Sequence, residues 1–180
     1  MILRRALTCG LALSLAAACG SQTLAGPPAA TPTTAAHAPH VIGVIAEGLS
    51  APWGLAFLPD GSALVSQRDD GRVLRVDARG VRTEVGVVPN VDHVGEGGLL
   101  GLAVARDFAT HPYLYAYETT QTDNRIVRME YSPNGLGTPT VLLSGLAKAE
   151  FHNGGRIAFG PDGKLYAGVG DATDTGHSQD

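Results

Sequence analysis

His152 and Asp171 stand nineteen positions apart, at the two ends of the run Phe151-His-Asn-Gly-Gly-Arg-Ile-Ala-Phe-Gly-Pro-Asp-Gly-Lys-Leu-Tyr-Ala-Gly-Val-Gly-Asp171. An imidazole beside a carboxylate can act as a general base, because the acid orients the ring and stabilises its protonated form. The residues between them explain how the two could meet. Gly160-Pro161-Asp162-Gly163 is a strong turn signal, since proline presets one backbone angle and glycine accepts positive φ. Short apolar runs flank the turn, Arg156 to Phe159 before it and Lys164 to Val169 after it. A strand–turn–strand hairpin brings its outer ends side by side, and His152 and Asp171 are those ends. Plainer readings stay open: His152 as a solvent-facing loop histidine, and Asp171 as a turn former.

Two further glycine-rich polar stretches accompany this one. Asp92-His-Val-Gly-Glu96-Gly-Gly98 precedes an apolar run, and Gly170-Asp-Ala-Thr-Asp174 follows one. Glycines there permit close backbone approach to a planar ligand. Glu96 reads equally as a solvated loop acid, Arg156 as the partner of an acid, and His93 and His177 as ordinary loop residues. Other chemistries lack their signatures. There is no cysteine or paired-histidine set for zinc, no nucleophile elbow, no phosphate-binding loop and no dinucleotide fingerprint. The net charge of −4 gives no basis for a nucleic-acid partner.

The elements that must position these residues are short strands. The 180 residues include 24 glycines and 11 prolines, with only 17% charged side chains, which favours turns over long helices. Runs at Val41–Ala46, Leu55–Leu58, Ala63–Gln67, Val73–Val76 and Val81–Val88 alternate with turns, and Leu49–Gly54 reads as a loop. The pattern returns at Gly101–Val104, Tyr113–Tyr117, Arg125–Tyr131 and Thr140–Leu143, and again from Arg156. Pro-Asp-Gly turns at 59 and 161 lie 102 residues apart, with Ala105-Arg-Asp107 near the midpoint. That spacing gives a unit of roughly 50 residues, the size of a propeller blade. The expected fold is therefore all-β, with about three β-propeller blades over residues 41–180. Propellers close with roughly four to eight blades, so the chain is expected to be a C-terminally truncated part of a larger ring.

The N-terminus carries targeting signals. Arg4 and Arg5 precede an apolar run from Ala6 to Ala18, which is read as a signal peptide over residues 1–18. Small residues lead to Cys19, resembling a bacterial lipobox in which Cys19 is lipidated. Residues 19–40, rich in Ala, Pro and Thr, read as a disordered linker, with His37 and His40 solvated. A membrane lipoprotein outside the cytoplasm, held by its lipid anchor alone, is the expectation.

The two motifs Gly95-Glu-Gly-Gly-Leu-Leu-Gly-Leu-Ala103 and His152-Asn-Gly-Gly-Arg-Ile-Ala-Phe-Gly-Pro-Asp-Gly-Lys-Leu-Tyr166 through Asp171 resemble the glucose/sorbosone dehydrogenase family, as does Ala51-Pro-Trp-Gly-Leu-Ala-Phe-Leu-Pro-Asp-Gly61. The resemblance runs from about residue 45 to the end. It implies a six-bladed β-propeller that binds pyrroloquinoline quinone (PQQ) and calcium, and that oxidises aldose sugars to lactones with an external electron acceptor. It makes His152 the catalytic base and Asp171 its orienter. Glu96, and less directly Gln179, fall near the cofactor. Phe151 replaces an acid that the glucose-oxidising branch carries there. The calcium ligands and the basic quinone contacts would lie beyond these residues, so none is assigned a metal. The competing reading is a non-catalytic propeller serving as a binding or scaffold module, or an inactive fragment; retention of both His152 and Asp171 favours the enzyme.

Overall fold

The computed structural model describes residues 40–178. The signal segment, Cys19, nearly all of the linker and Gln179 lie outside the described residues. Eleven strands follow in order among the described residues: β1 Pro52–Phe57, β2 Ala63–Gln67, β3 Arg72–Val76, β4 Arg82–Val87, β5 Leu99–Val104, β6 Tyr113–Thr119, β7 Asn124–Ser132, β8 Gly135–Leu136, β9 Thr140–Leu146, β10 Gly154–Phe159 and β11 Leu165–Val169. A short 3-10 turn, Thr175–His177, comes last. All pairings are antiparallel. β1 to β4 form one meander, and β5, β6, β7 and β9 form a second, with β8 pairing the far end of β7. β10 and β11 form a hairpin. These are two complete blades and the inner half of a third.

The repeat read from the turns is real at the level of hydrogen bonds. Leu58 N–H donates to Ser62 O at 2.8 Å and Gly61 N–H to Leu58 O at 3.0 Å. Gly160 N–H donates to Lys164 O at 2.9 Å and Gly163 N–H to Gly160 O at 3.0 Å. The same tight turn therefore joins the first two strands of the first and third blades. In the second blade, Ala105–Pro112 forms a longer loop that tucks Phe108 into the core.

Stacking of the blades decides the burial pattern. β5 is buried on both faces: Leu99 and Leu102 join a core with Leu64, Val73, Leu114 and Met129, whereas Leu100 and Ala103 join one with Tyr117, Ile126 and Ile157. A strand covered on both faces needs apolar residues without alternation, which Leu-Leu-Gly-Leu-Ala supplies. Gly101 lets the neighbouring blade come close. A Cβ there would lie 2.2 Å from the Gly155 carbonyl oxygen, well inside contact distance. Between the first two blades, Gly54 N–H donates to Ser66 Oγ, which donates in turn to Leu100 O, both at 2.7 Å.

Two sequence expectations are corrected. Val41–Ala46 forms no strand, and Val41, Ile42, Val44 and Ile45 are exposed. β-propensity is a matter of packing on a pleated surface, and this exposed run packs on none. Pro52–Gly54, read as loop, belongs to β1, with an irregularity in register between Pro52 and Leu55.

One core residue is out of character. Glu118 on β6 is buried, and its Oε2 has no hydrogen-bond partner among the described residues. Burial pushes its carboxyl from an ordinary 4.5 up to about 7, Arg125 opposing and Asp123 adding to the shift. The folded state therefore favours neutral Glu118. Stability from this group is full below about 4.5 and is lost as pH rises toward about 7, a decline of about 3 kcal/mol. Urea denaturation at pH 5 and pH 8 should show that decline, and Glu118→Gln should remove most of it. An unchanged pH slope in the variant would assign the decline to other groups.

Candidate active site

The hairpin does what its sequence promised. Arg156 pairs with Gly168 and Phe159 with Leu165, and the pairing runs on past the strands, where Ala172 N–H donates to His152 O at 3.2 Å. A Cβ at Gly170 would sit 1.7 Å from that carbonyl, so only glycine admits this approach. At the hairpin's open end, His152 Nδ1 lies 2.9 Å from Asp171 Oδ1.

The direction of the bond follows from the aspartate. The hydrogen bond from His152 holds the Asp171 carboxyl below its ordinary range, with help from Ser178 Oγ at 3.0 Å and the Thr173 N–H at 2.9 Å. An ionised carboxylate only accepts, so Nδ1 carries the proton and Nε2 of the neutral ring carries the lone pair. Among the described residues no side chain or backbone group occupies Nε2. The imidazole is 57% exposed, whereas Asp171 is only 14% exposed. The arrangement is a proton acceptor facing solvent, backed by a sheltered anion.

The loop before β5 joins the same rim. Glu96 Oε2 accepts the His152 backbone N–H at 2.8 Å, and Glu96 N–H donates to Glu150 O at 2.8 Å. Lys148 ties the two loops together, with Nζ 3.0 Å from Asp92 Oδ2 and donating to Thr120 O at 2.7 Å. The structure thus brings His152, Asp171 and Glu96 together. Asp174 caps the final 3-10 turn through Gly176 N–H. His93 pairs with Asp69 at 3.1 Å. Among the described residues Arg156 pairs with no acid, and its guanidinium stacks over the Trp53 ring at 4.2 Å. Among the described residues no group of three or more His, Cys, Asp or Glu side chains is placed to hold a metal ion.

Two residues that sequence reasoning passed over support the site. Ser178 holds the second oxygen of Asp171. Asn153, next to His152, is 1% exposed and hydrogen-bonds through both ends of its amide. An asparagine between a histidine and two glycines was the only local sign of it.

The glucose/sorbosone dehydrogenase family model matches residues 49–180, nearly all of the described fold and both of its motifs. The chain belongs to this family. A PQQ-bound aldose sugar dehydrogenase from Streptomyces coelicolor superposes with a TM-score of 0.76 at 52% identity, over 78% of this chain and 44% of that one. Quinoprotein glucose dehydrogenase B of Acinetobacter calcoaceticus is 35% identical over 144 residues, 71% of this chain and 30% of that protein. An aldose sugar dehydrogenase of Escherichia coli is 27% identical over 156 residues, 81% of this chain and 42% of that protein. The chain thus spans less than half the length of these relatives. Its sheets are consecutive blades of the family's β-propeller.

Proposed function

We propose that this chain is part of a PQQ-dependent aldose dehydrogenase that oxidises the anomeric carbon of a sugar to a lactone. One observation carries the reading: an exposed imidazole with Nδ1 on an ionised Asp171 and Nε2 open to a ligand. The similar proteins support it: one is a PQQ-bound aldose sugar dehydrogenase, another a quinoprotein glucose dehydrogenase and a third an aldose sugar dehydrogenase.

PQQ, when bound, supplies the oxidant that takes up the two electrons. The site fits such a group in one respect. It offers a proton acceptor on an open rim, whereas the glycines beside it are taken up by packing of the loops themselves, Gly95 against Glu150 O, Gly98 against Arg68 O and Gly170 against His152 O. Nε2 of His152 removes the proton of the anomeric hydroxyl. The oxygen lone pair so released forms the C=O bond as the anomeric C–H bond breaks, its electron pair leaving with the hydrogen. Asp171 stabilises the imidazolium that results. Glu96, whose carboxylate shares the rim, and Gln179 are proposed to contact the cofactor. Calcium accompanies the quinone in the resembling family, and among the described residues no cluster of three or more His, Cys, Asp or Glu side chains is placed to hold it.

The test is dye reduction by the full-length protein, supplied with PQQ and calcium, across a panel of aldoses. Aldose-dependent reduction that saturates with PQQ is expected. PQQ binding without reduction by any aldose would leave a binding propeller and overturn the proposal.

A further inference from the structure

His152 has an unusual backbone. Its φ is +62°, in the left-handed region that side-chained residues avoid. Such a conformation persists only where its surroundings over-determine it. The ring itself is mostly exposed, so little packing aims it. Asp171 holds one ring nitrogen, and Glu96 and Ala172 hold the backbone N–H and C=O; where the ring starts from depends also on how the next residue anchors the chain.

Asn153 points the opposite way, into the core. Its Oδ1 accepts from Asn124 Nδ2 at 3.0 Å and from Ala149 N–H at 3.1 Å, and its Nδ2 donates to Ala149 O at 2.8 Å. Its own carbonyl accepts from Tyr117 OH at 2.9 Å. Asn124 is fully buried, donates also to Ala147 O at 2.7 Å, and accepts from Thr119 Oγ1 at 2.6 Å. Tyr117 is fully buried as well, and Thr119 is 1% exposed. Every polar group of this chain of bonds has a partner, which makes it rigid. Tyr117 and Thr119 lie on β6 and Asn124 begins β7, all in the second blade. Asp171 follows β11 of the third.

We infer that the buried Asn153–Asn124 amide pair, with Tyr117 and Thr119, is the positioning device that aims His152: the second blade fixes the backbone of the base while the third blade supplies its carboxylate. Asn153, Asn124 and Tyr117 are positioning residues acting through His152. The catalytic part of this inference rests on the proposed sugar oxidation; the structural part does not. A node that merely satisfied buried polar groups would affect stability alone. A node that aims the ring must also alter the Nδ1–Asp171 bond and turnover, because small misplacements of a reacting group cost rate.

The experiment uses Tyr117→Phe, which removes one hydroxyl and leaves the ring packed, and Asn124→Asp, which puts an acceptor where Nδ2 donates. Both are made in the full-length protein. The first readout is the downfield imidazole proton resonance that the His152–Asp171 bond produces, assigned by its loss in His152→Gln. The second is kcat and KM with PQQ and an aldose. The resonance should weaken or vanish in both variants that remain folded. Turnover should drop about tenfold in Tyr117→Phe and more in Asn124→Asp, with KM within about twofold. If Asn124→Asp fails to fold, Tyr117→Phe decides. A folded Tyr117→Phe protein with the wild-type resonance and wild-type kcat, lower only in melting temperature, overturns the inference. A wild-type protein without activity on any aldose whose resonance is still lost in Tyr117→Phe sinks the sugar-oxidation reading and supports the positioning device.

Discussion

Replacing His152 by alanine should lower kcat for aldose oxidation about a thousandfold and leave PQQ binding near wild type. General-base assistance contributes about 10²–10⁴ to such steps, and no second base stands ready among the described residues. The other acids of the rim are already engaged: Glu96 holds the His152 N–H, and Asp171 has accepted bonds on both oxygens. PQQ binding is measured by titrating the apoprotein, and turnover by dye reduction. Cofactor affinity should survive because the imidazole is a solvent-facing side chain that leaves no cavity when truncated. A variant that turns over like wild type would remove His152 from the mechanism. One that loses the quinone altogether would make it a binding residue.

Asp171→Ala should cost about a hundredfold in kcat, and Asp171→Asn about tenfold. The difference separates orientation from charge. Asp171 Oδ1 accepts from both His152 and Thr173 N–H, and Oδ2 accepts from Ser178 Oγ. An asparagine can keep its oxygen on the first two donors and offer its NH₂ to the serine oxygen, so the ring stays aimed and only the negative charge is lost. Alanine loses both. The pH dependence has a definite sign. The Asp171 carboxyl is depressed, chiefly by its bond to His152, so the pairing is complete above the ordinary carboxylate range and is lost only as pH falls through the lowered value. Acid inactivation by this route should begin below that ordinary range. Equal losses in the two variants would mean that the charge alone matters. An unaffected Asp171→Ala would leave Asp171 a turn former.

Much of this was legible because it is local. Pro-Asp-Gly at 59 and 161 specifies the turn by residue type alone, and a turn of known reach aligns the strand ends, so the meeting of His152 and Asp171 follows from twenty consecutive residues. The spacing of the turns implied blades for the same reason. Where a local pattern depended on a distant partner it misled. Val41–Ala46 is a β-branched run that stays exposed and forms no strand, and Arg156 stacks on an aromatic face.

What the chain's order of residues determined, then, is the hairpin, the blade repeat, and the chemistry at the hairpin's open end. The tertiary structure alone decided that Glu96, 56 positions earlier, takes the His152 N–H, and that Tyr117, 36 positions before Asn153, takes its carbonyl. It also decided that the histidine adopts a positive φ and that its neighbour is buried. The reason is physical. A turn is a matter of a few torsions, which residue types encode directly. A contact between blades depends on how two sheets seat against each other, and that is set by the fit of Gly101, Leu100 and Gly155 across the interface rather than by any one stretch of sequence.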